Sequence, residues 1–335
     1  KVYSFTLCII LFFSKNLFSS EIYDYQTEKF LQKLYSQIIS VNSFDKKIKL
    51  KIINDDFPNA YVTEDNTIYL SSGLISYSTD YVSLLSVLAH EIGHIDNFHV
   101  SKRKKEIKNL KSLNSIGNAA AVIGSMIMQQ PDLINAIIVN QTAANNFYLN
   151  FTQEQEIEAD FYAIEIINKL GLPTSSVKEL LLLLEDKSKF NIADEELKKF
   201  STHPLFKKRY EIIGYEKILE VNNYDNELQN EFNFIKAKFM AYTDSGFISK
   251  IKNDHKIYYD AIKYSRSGNL KKSLINLNLL ISKYKNDVFL LETKADILLS
   301  YGYNNEAIEF YKKVIIKEPE NYHTKYNIFI NIKFS

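Results

Sequence analysis

Apolar positions along this chain recur with two different periods. Phe30, Leu31, Leu34 and Ile38 stand at helical spacing and predict a helix over residues 21–45. A strand-like block follows, in which Ile48, Leu50 and Ile52 alternate with Lys47, Lys49 and Lys51. The segments 59–63 and 67–70 flank a turn at Glu64-Asp65-Asn66, and together they predict a small, partly exposed sheet. Beyond it, Ser78-Thr79-Asp80 supplies capping side chains for a helix running through His90 and His94. Leu84, Leu88, Ile92 and Ile95 form its apolar face. Thr152-x-x-Gln155 reads as a capping box opening another helix, which Leu170-Gly171-x-Pro173 stops. Further helices are expected over 176–187, within 200–220 and over 232–242.

The tail repeats with a period of 34 residues. Ala261 matches Ala295, Gly268 matches Gly302, Ser273 matches Ala307, Leu277 matches Tyr311 and Ile281 matches Ile315, with Pro319 closing the second unit. Gly between two amphipathic helices and small residues at their crossing points form the tetratricopeptide signature. The chain stops at Ser335 inside what reads as a further repeat's first helix, so a frayed or cut-short end is expected. The fold class is therefore α+β, mostly α: a domain with a small sheet, then an α-solenoid.

Composition agrees. Nine glycines and five prolines in 335 residues fall well below the usual ~7% and ~5%, which favours long helices. Basic and acidic residues number 41 and 40, a net charge of +1, so there is no basic field for nucleic acid. With one cysteine, Cys8, neither an intramolecular disulfide nor a cysteine-ligated zinc site can form.

Lys1, the nine-residue apolar run Phe5–Phe13 and Leu17-Phe18-Ser19 read as an export signal over residues 1–20. The run is short for a spanning helix, which needs ~20 residues. An uncleaved anchor or a buried first helix is the alternative. Residues 112–153 carry one charge, Asp132. Seven Ser, Asn or Gln side chains in the first twenty of these residues weigh against a span and favour a packed helical hairpin or a peripheral membrane contact.

The sharpest chemical signal is His90-Glu91-Ile92-Gly93-His94, an H-E-x-x-H pattern. On a helix, positions i and i+4 lie about 40° apart, so both imidazoles can bind one Zn²⁺ while Glu91 takes a proton from a nearby water. Two ordinary helix histidines beside a glutamate would give the same five letters. A third ligand is needed. His99 is about 140° away on a continuous helix and reads as a packing or surface residue. Glu156-Ile157-Glu158-Ala159-Asp160 is the better source: Glu156 and Asp160 share a face, Glu156 to ligate and Asp160 to hold an imidazole, whereas Glu158 points nearly the opposite way. Alone, this acidic stretch would read as solvated helix. In Ser201-Thr202-His203-Pro204, Pro204 keeps His203 extended, so its imidazole could stabilise an oxyanion or occupy the open coordination position. Arg209 could stabilise negative charge or anchor the turn.

H-E-I-G-H, E-I-E-A-D and S-T-H-P-x-x-x-x-R, in that order, resemble the gluzincin peptidases that include HtpX and the C-a-a-X prenyl proteases. Asn59-Ala60-Tyr61 and Ser72-Gly73-Leu74-Ile75 are similar to segments upstream of that family's metal helix. The export signal and repeat tail make the chain most similar to the BepA-type periplasmic branch. The resemblance implies one Zn²⁺ held by His90, His94 and Glu156, with Glu91 as base and Asp160, His203 and Arg209 in support. It also implies periplasmic quality control of outer-membrane β-barrel proteins, with unfolded or misassembled chains as substrates and the barrel-assembly machinery as candidate partner.

The expected layout is a signal peptide at 1–20, a zinc metallopeptidase domain at 21–225 and a tetratricopeptide domain at 226–335. An extended substrate is expected to add to the sheet along Thr67–Leu70. Two alternatives stand: a non-proteolytic chaperone or scaffold using the repeats, and an integral membrane protease with spans in 112–153.

Overall fold

The computed structural model describes residues 21–99, 102, 153–190, 209, 223–244, 246, 250–285 and 287–334. The expected export signal, the low-charge segment 112–152 and the Ser201–Pro204 turn lie outside the described residues.

A mixed sheet and two long helices form the first part. The described residues begin with strand β1 (Glu21–Ile22), helix α1 (Tyr25–Ser40) and strands β2 (Lys49–Ile53), β3 (Ala60–Val62) and β4 (Thr67–Ser71). Residues 21–22 were expected to be helical. They pair instead with Ile53 and Ile52 of β2, because α1 starts only where Asp24 accepts the Thr27 amide at 2.8 Å. From there Phe30, Leu31, Leu34 and Ile38 are all fully buried, at ~1.5–3 kcal/mol for each large apolar side chain.

Strand order is β1-β2-β4-β3. β2 runs parallel to β4, with Leu50 opposite Ile68. β3 folds back antiparallel on β4, with Tyr61 opposite Tyr69. This corrects the expected substrate edge: Thr67–Leu70 is interior, bonded on both sides, and among the described residues the outer strand beside it is β3.

Short helix α2 (Ser72–Tyr77) leaves β4 directly, capped by the Ser71 hydroxyl on the Leu74 amide. At Gly73 a Cβ would lie 2.3 Å from the Asp56 carbonyl oxygen, so a glycine is needed where the two segments touch. Helix α3 (Tyr81–Asp96) starts at Asp80 in a reciprocal capping box with Ser83. The other Asp80 oxygen accepts the Ser176 hydroxyl at 2.6 Å. Helix α4 (Gln153–Lys169) packs along α3, and α5 (Ser175–Phe190) follows a turn at Gly171 with φ +66°.

Helix α6 (Asn226–Thr243) belongs to two cores. Leu228, Phe232, Ile235 and Phe239 pack with α1, α3 and the sheet. Phe234, Ala237, Met240 and Ala241 pack with the tail. The tail comprises α7 (Asn253–Arg266), α8 (Leu270–Lys283), α9 (Val288–Ser300), α10 (Asn304–Lys317) and α11 (Tyr322–Phe334). The 34-residue offset that relates Ala261 to Ala295 also carries the bounds of α8 onto those of α10. Gly268 and Gly302 take φ of +81° and +80° between paired helices, and Ala261, Ala295, Ser273 and Ala307 are fully buried where helices cross.

Helix α6 and the tail both reach the start of α1. Lys238 Nζ lies 2.6 Å from Asp24 Oδ2 and Lys29 Nζ lies 2.6 Å from Glu318 Oε1. Among the described residues, no helix is long and apolar enough to cross a membrane.

Candidate metal centre

Helix α3 is buried almost all round, from Tyr81 to Ile95. Its polar side chains are therefore costly unless they have partners. Helix α4 supplies them. The two helices approach closely at Gly93, where a Cβ would meet Ala159 Cα at 3.2 Å and Tyr162 Cβ at 3.1 Å. Glycine at this point of the H-E-x-x-H pattern lets the backbones close, which brings Glu156, one turn before, to the imidazoles.

His90 Nε2 and His94 Nε2 lie 3.1 Å apart. Glu156 Oε2 is 3.5 Å from the first and Glu156 Oε1 is 3.4 Å from the second. All three residues are buried, and one ligand atom from each falls within 4.8 Å of the others. Donors held at ~2.0–2.1 Å from one tetrahedral ion would be about 3.3 Å apart, so the spacing fits.

The backs of the imidazoles agree with that reading. His90 Nδ1 is 2.9 Å from Asp160 Oδ1; the carboxylate can only accept, so Nδ1 carries the proton and Nε2 turns its lone pair to the cluster. Arg209 grips Asp160 twice, Nε on Oδ2 and Nη2 on Oδ1, both at 2.7 Å. Its Nη1 lies 2.9 Å from Glu156 Oε2. These contacts set the Arg209 guanidinium against two buried carboxylates; the turn that it could also anchor lies outside the described residues.

Burial pushes the His90 imidazole down, but Asp160 and Glu156 outweigh it and leave it above its ordinary range. Burial likewise raises the Asp160 carboxyl, while Arg209 and His90 draw it below the usual carboxylate value. The cluster therefore favours positive charge at its centre, as a cation site must. Glu91 is 1% exposed, beside both ligand histidines in sequence. Burial weakens the hold of Arg209 on its proton, but Asp160, then Glu156 and, to a smaller extent, the charge of Glu91 outweigh it.

His99 stays out of the three-residue cluster, as a packing residue would, but lies closer to it than expected. It is fully buried, with Nδ1 at 3.0 Å from His94 Nδ1 and Nε2 at 2.8 Å from Glu158 Oε2. The expectation assumed a continuous helix. Instead α3 ends at Asp96 and Phe98 adopts φ +59°, which swings His99 back beneath His94.

These residues lie inside a match to Peptidase family M48 that covers residues 25–217. The chain belongs to peptidase family M48. Its M48 relatives include a protein named beta-barrel assembly-enhancing protease in Yersinia pestis, 26% identical over 185 residues, or 55% of this chain and 37% of the relative. A protein of the same name in Escherichia coli K12 is 24% identical over 226 residues, 65% of this chain and 44% of the relative. Metalloprotease LoiP of Escherichia coli K12 is 26% identical over 141 residues, 41% of this chain and 52% of the relative. The chain thus spans less than half the length of the two barrel-assembly relatives.

Within the M48 fold, the structure brings together His90, His94, Glu156, Asp160 and Arg209, with Glu91 buried on the same helix. His203 lies outside the described residues. Sequence reasoning assigned no role in the site to His99 and Glu158. The usable signal was Asp96-Asn97 after His94, a polar pair able to end the helix.

Proposed function

We propose that this chain is a zinc-dependent endopeptidase of the cell envelope, acting in the periplasm on unfolded or misassembled outer-membrane β-barrel proteins. The observation that carries the reading is the buried convergence of His90, His94 and Glu156 from two helices, with Glu91 between the two imidazoles in sequence. Family membership supports the metallopeptidase chemistry. The names of the relatives support the substrate class.

His90, His94 and Glu156 would hold the ion, and a bound zinc contributes Lewis acidity toward water and toward a peptide carbonyl. Glu91 accepts a proton from the attacking water and later returns one to the leaving amine. Asp160 and Arg209 keep His90 and Glu156 in place. His203 is assigned to the developing oxyanion. An extended substrate lies across the sheet beside α3, held by main-chain hydrogen bonds.

In this reading residues 1–20 are an export signal, 21–225 the peptidase domain and 226–335 a tetratricopeptide array. The 34-residue offset between paired helices supports that array, and the array is assigned the contact with the barrel-assembly machinery. A chaperone that shields unfolded barrels without cutting them is the second reading, favoured by the same array.

The test uses unfolded outer-membrane barrel protein, purified zinc-loaded chain and the Glu91→Gln variant. Cleavage by the first and not by the second supports the peptidase. Suppressed aggregation without cleavage by either would favour the chaperone.

A further inference from the structure

We propose that His99 and Glu158 form a second positioning arm for the metal centre, with His99 acting on His94 as Asp160 acts on His90. The inference rests on the metal-site reading above and adds residues to it.

The geometry is a chain of three groups. Glu158 Oε2 accepts, so His99 Nε2 at 2.8 Å carries a proton and donates it. In neutral His99 the remaining nitrogen, Nδ1, is then an acceptor. His94 Nδ1 lies 3.0 Å from it and must be the donor. That fixes the His94 proton on Nδ1 and points the Nε2 lone pair at the cluster, where His90 Nε2 and Glu156 Oε1 stand 3.1 Å and 3.4 Å away.

Both ligand imidazoles thus have their tautomer set from behind by a polar partner, and both partners depend on acids of α4: Asp160 directly on His90, Glu158 through His99 on His94. The two acids lie on different flanks of α4: Asp160 reaches α3 directly, and Glu158 reaches His94 only through His99, which the left-handed turn at Phe98 folds under the end of α3. Such outer partners raise ligand basicity, and their loss typically costs ~10–100-fold in metal affinity.

The experiment compares His99→Asn with His99→Leu. The two side chains have nearly the same shape, but Asn Oδ1 can occupy the acceptor position of His99 Nδ1 and Leu cannot. Zinc affinity is measured by competition with a chromophoric chelator, with the unfolding midpoint of each metal-free protein recorded alongside. His99→Leu is expected to bind zinc ~10–100-fold more weakly, His99→Asn within a few-fold of wild type, and Glu158→Gln between them. Equal losses in Asn and Leu, or no loss in Leu, would overturn the arm. Wild-type protein that binds no stoichiometric zinc, or a Glu156→Ala variant that binds it as well as wild type, would instead refute the metal site itself.

Discussion

Asp160 holds His90 from behind: its Oδ1 accepts from His90 Nδ1 at 2.9 Å while Arg209 occupies both its oxygens. The imidazole cannot rotate or change tautomer without breaking that bond. Asp160→Asn keeps the shape and removes the charge, so Arg209 is left facing a neutral amide. Zinc affinity is expected to fall ~10–100-fold, measured by chelator competition. Unchanged affinity would show that Asp160 serves only to pack Arg209.

Glu91→Gln should retain one zinc per chain, because Glu91 is not among the three clustered ligands. Peptide cleavage should fall by ~10²–10⁴-fold. Metal analysis and turnover of an unfolded protein substrate check the two halves separately. Turnover at the wild-type rate would remove Glu91 from its role as base.

Gly93→Ala tests the helix crossing. Alanine is the better helix former by ~1 kcal/mol, yet its Cβ would meet Ala159 Cα at 3.2 Å. That atom is backbone and cannot give way unless α4 shifts. Overpacking of this kind costs ~1–3 kcal/mol, so net destabilisation in urea is expected, together with weaker zinc binding as Glu156 moves off. A variant both stabler and unchanged in zinc affinity would mean that α4 tolerates the displacement.

Lys236 sits at the junction of the two cores, 6% exposed, donating from Nζ to the Ser78 carbonyl oxygen at 2.6 Å. Burial pushes its ammonium down to about 8. The unfolded chain, with an ordinary lysine near ~10.4, therefore holds more protons between those values. Stability contributed through this group rises with pH across that window and is flat below it. Comparing wild type with Lys236→Met isolates it. The difference should shift in favour of wild type by about 2–3 kcal/mol between pH 7 and pH 10, read by urea denaturation. A constant difference would show that the ammonium is better solvated than its burial implies.

The linear pattern determined a good deal of this protein by itself. The cap at Asp80, the stop at Gly171 and the period of 34 were legible because caps, breakers and helix faces are local, set within a few residues. The grouping of His90 with His94 was legible for the same reason, since one helical turn fixes it. Glu156 was singled out because it shares a helix face with Asp160, and the likeness of the motifs agreed, but no local pattern sets it beside the histidines: it lies sixty-two positions after His94, and only the packing of α4 on α3 brings them together. The edge of the sheet was misread because strand order depends on which strands pair, and β3 crosses to the outside of β4. The contact of His99 with His94 was not legible because a single left-handed residue, Phe98, redirects the chain after α3. Helical periodicity cannot reveal where a helix ends in an uncommon backbone conformation. Tertiary structure decided these points because each depends on contacts between segments far apart in the chain.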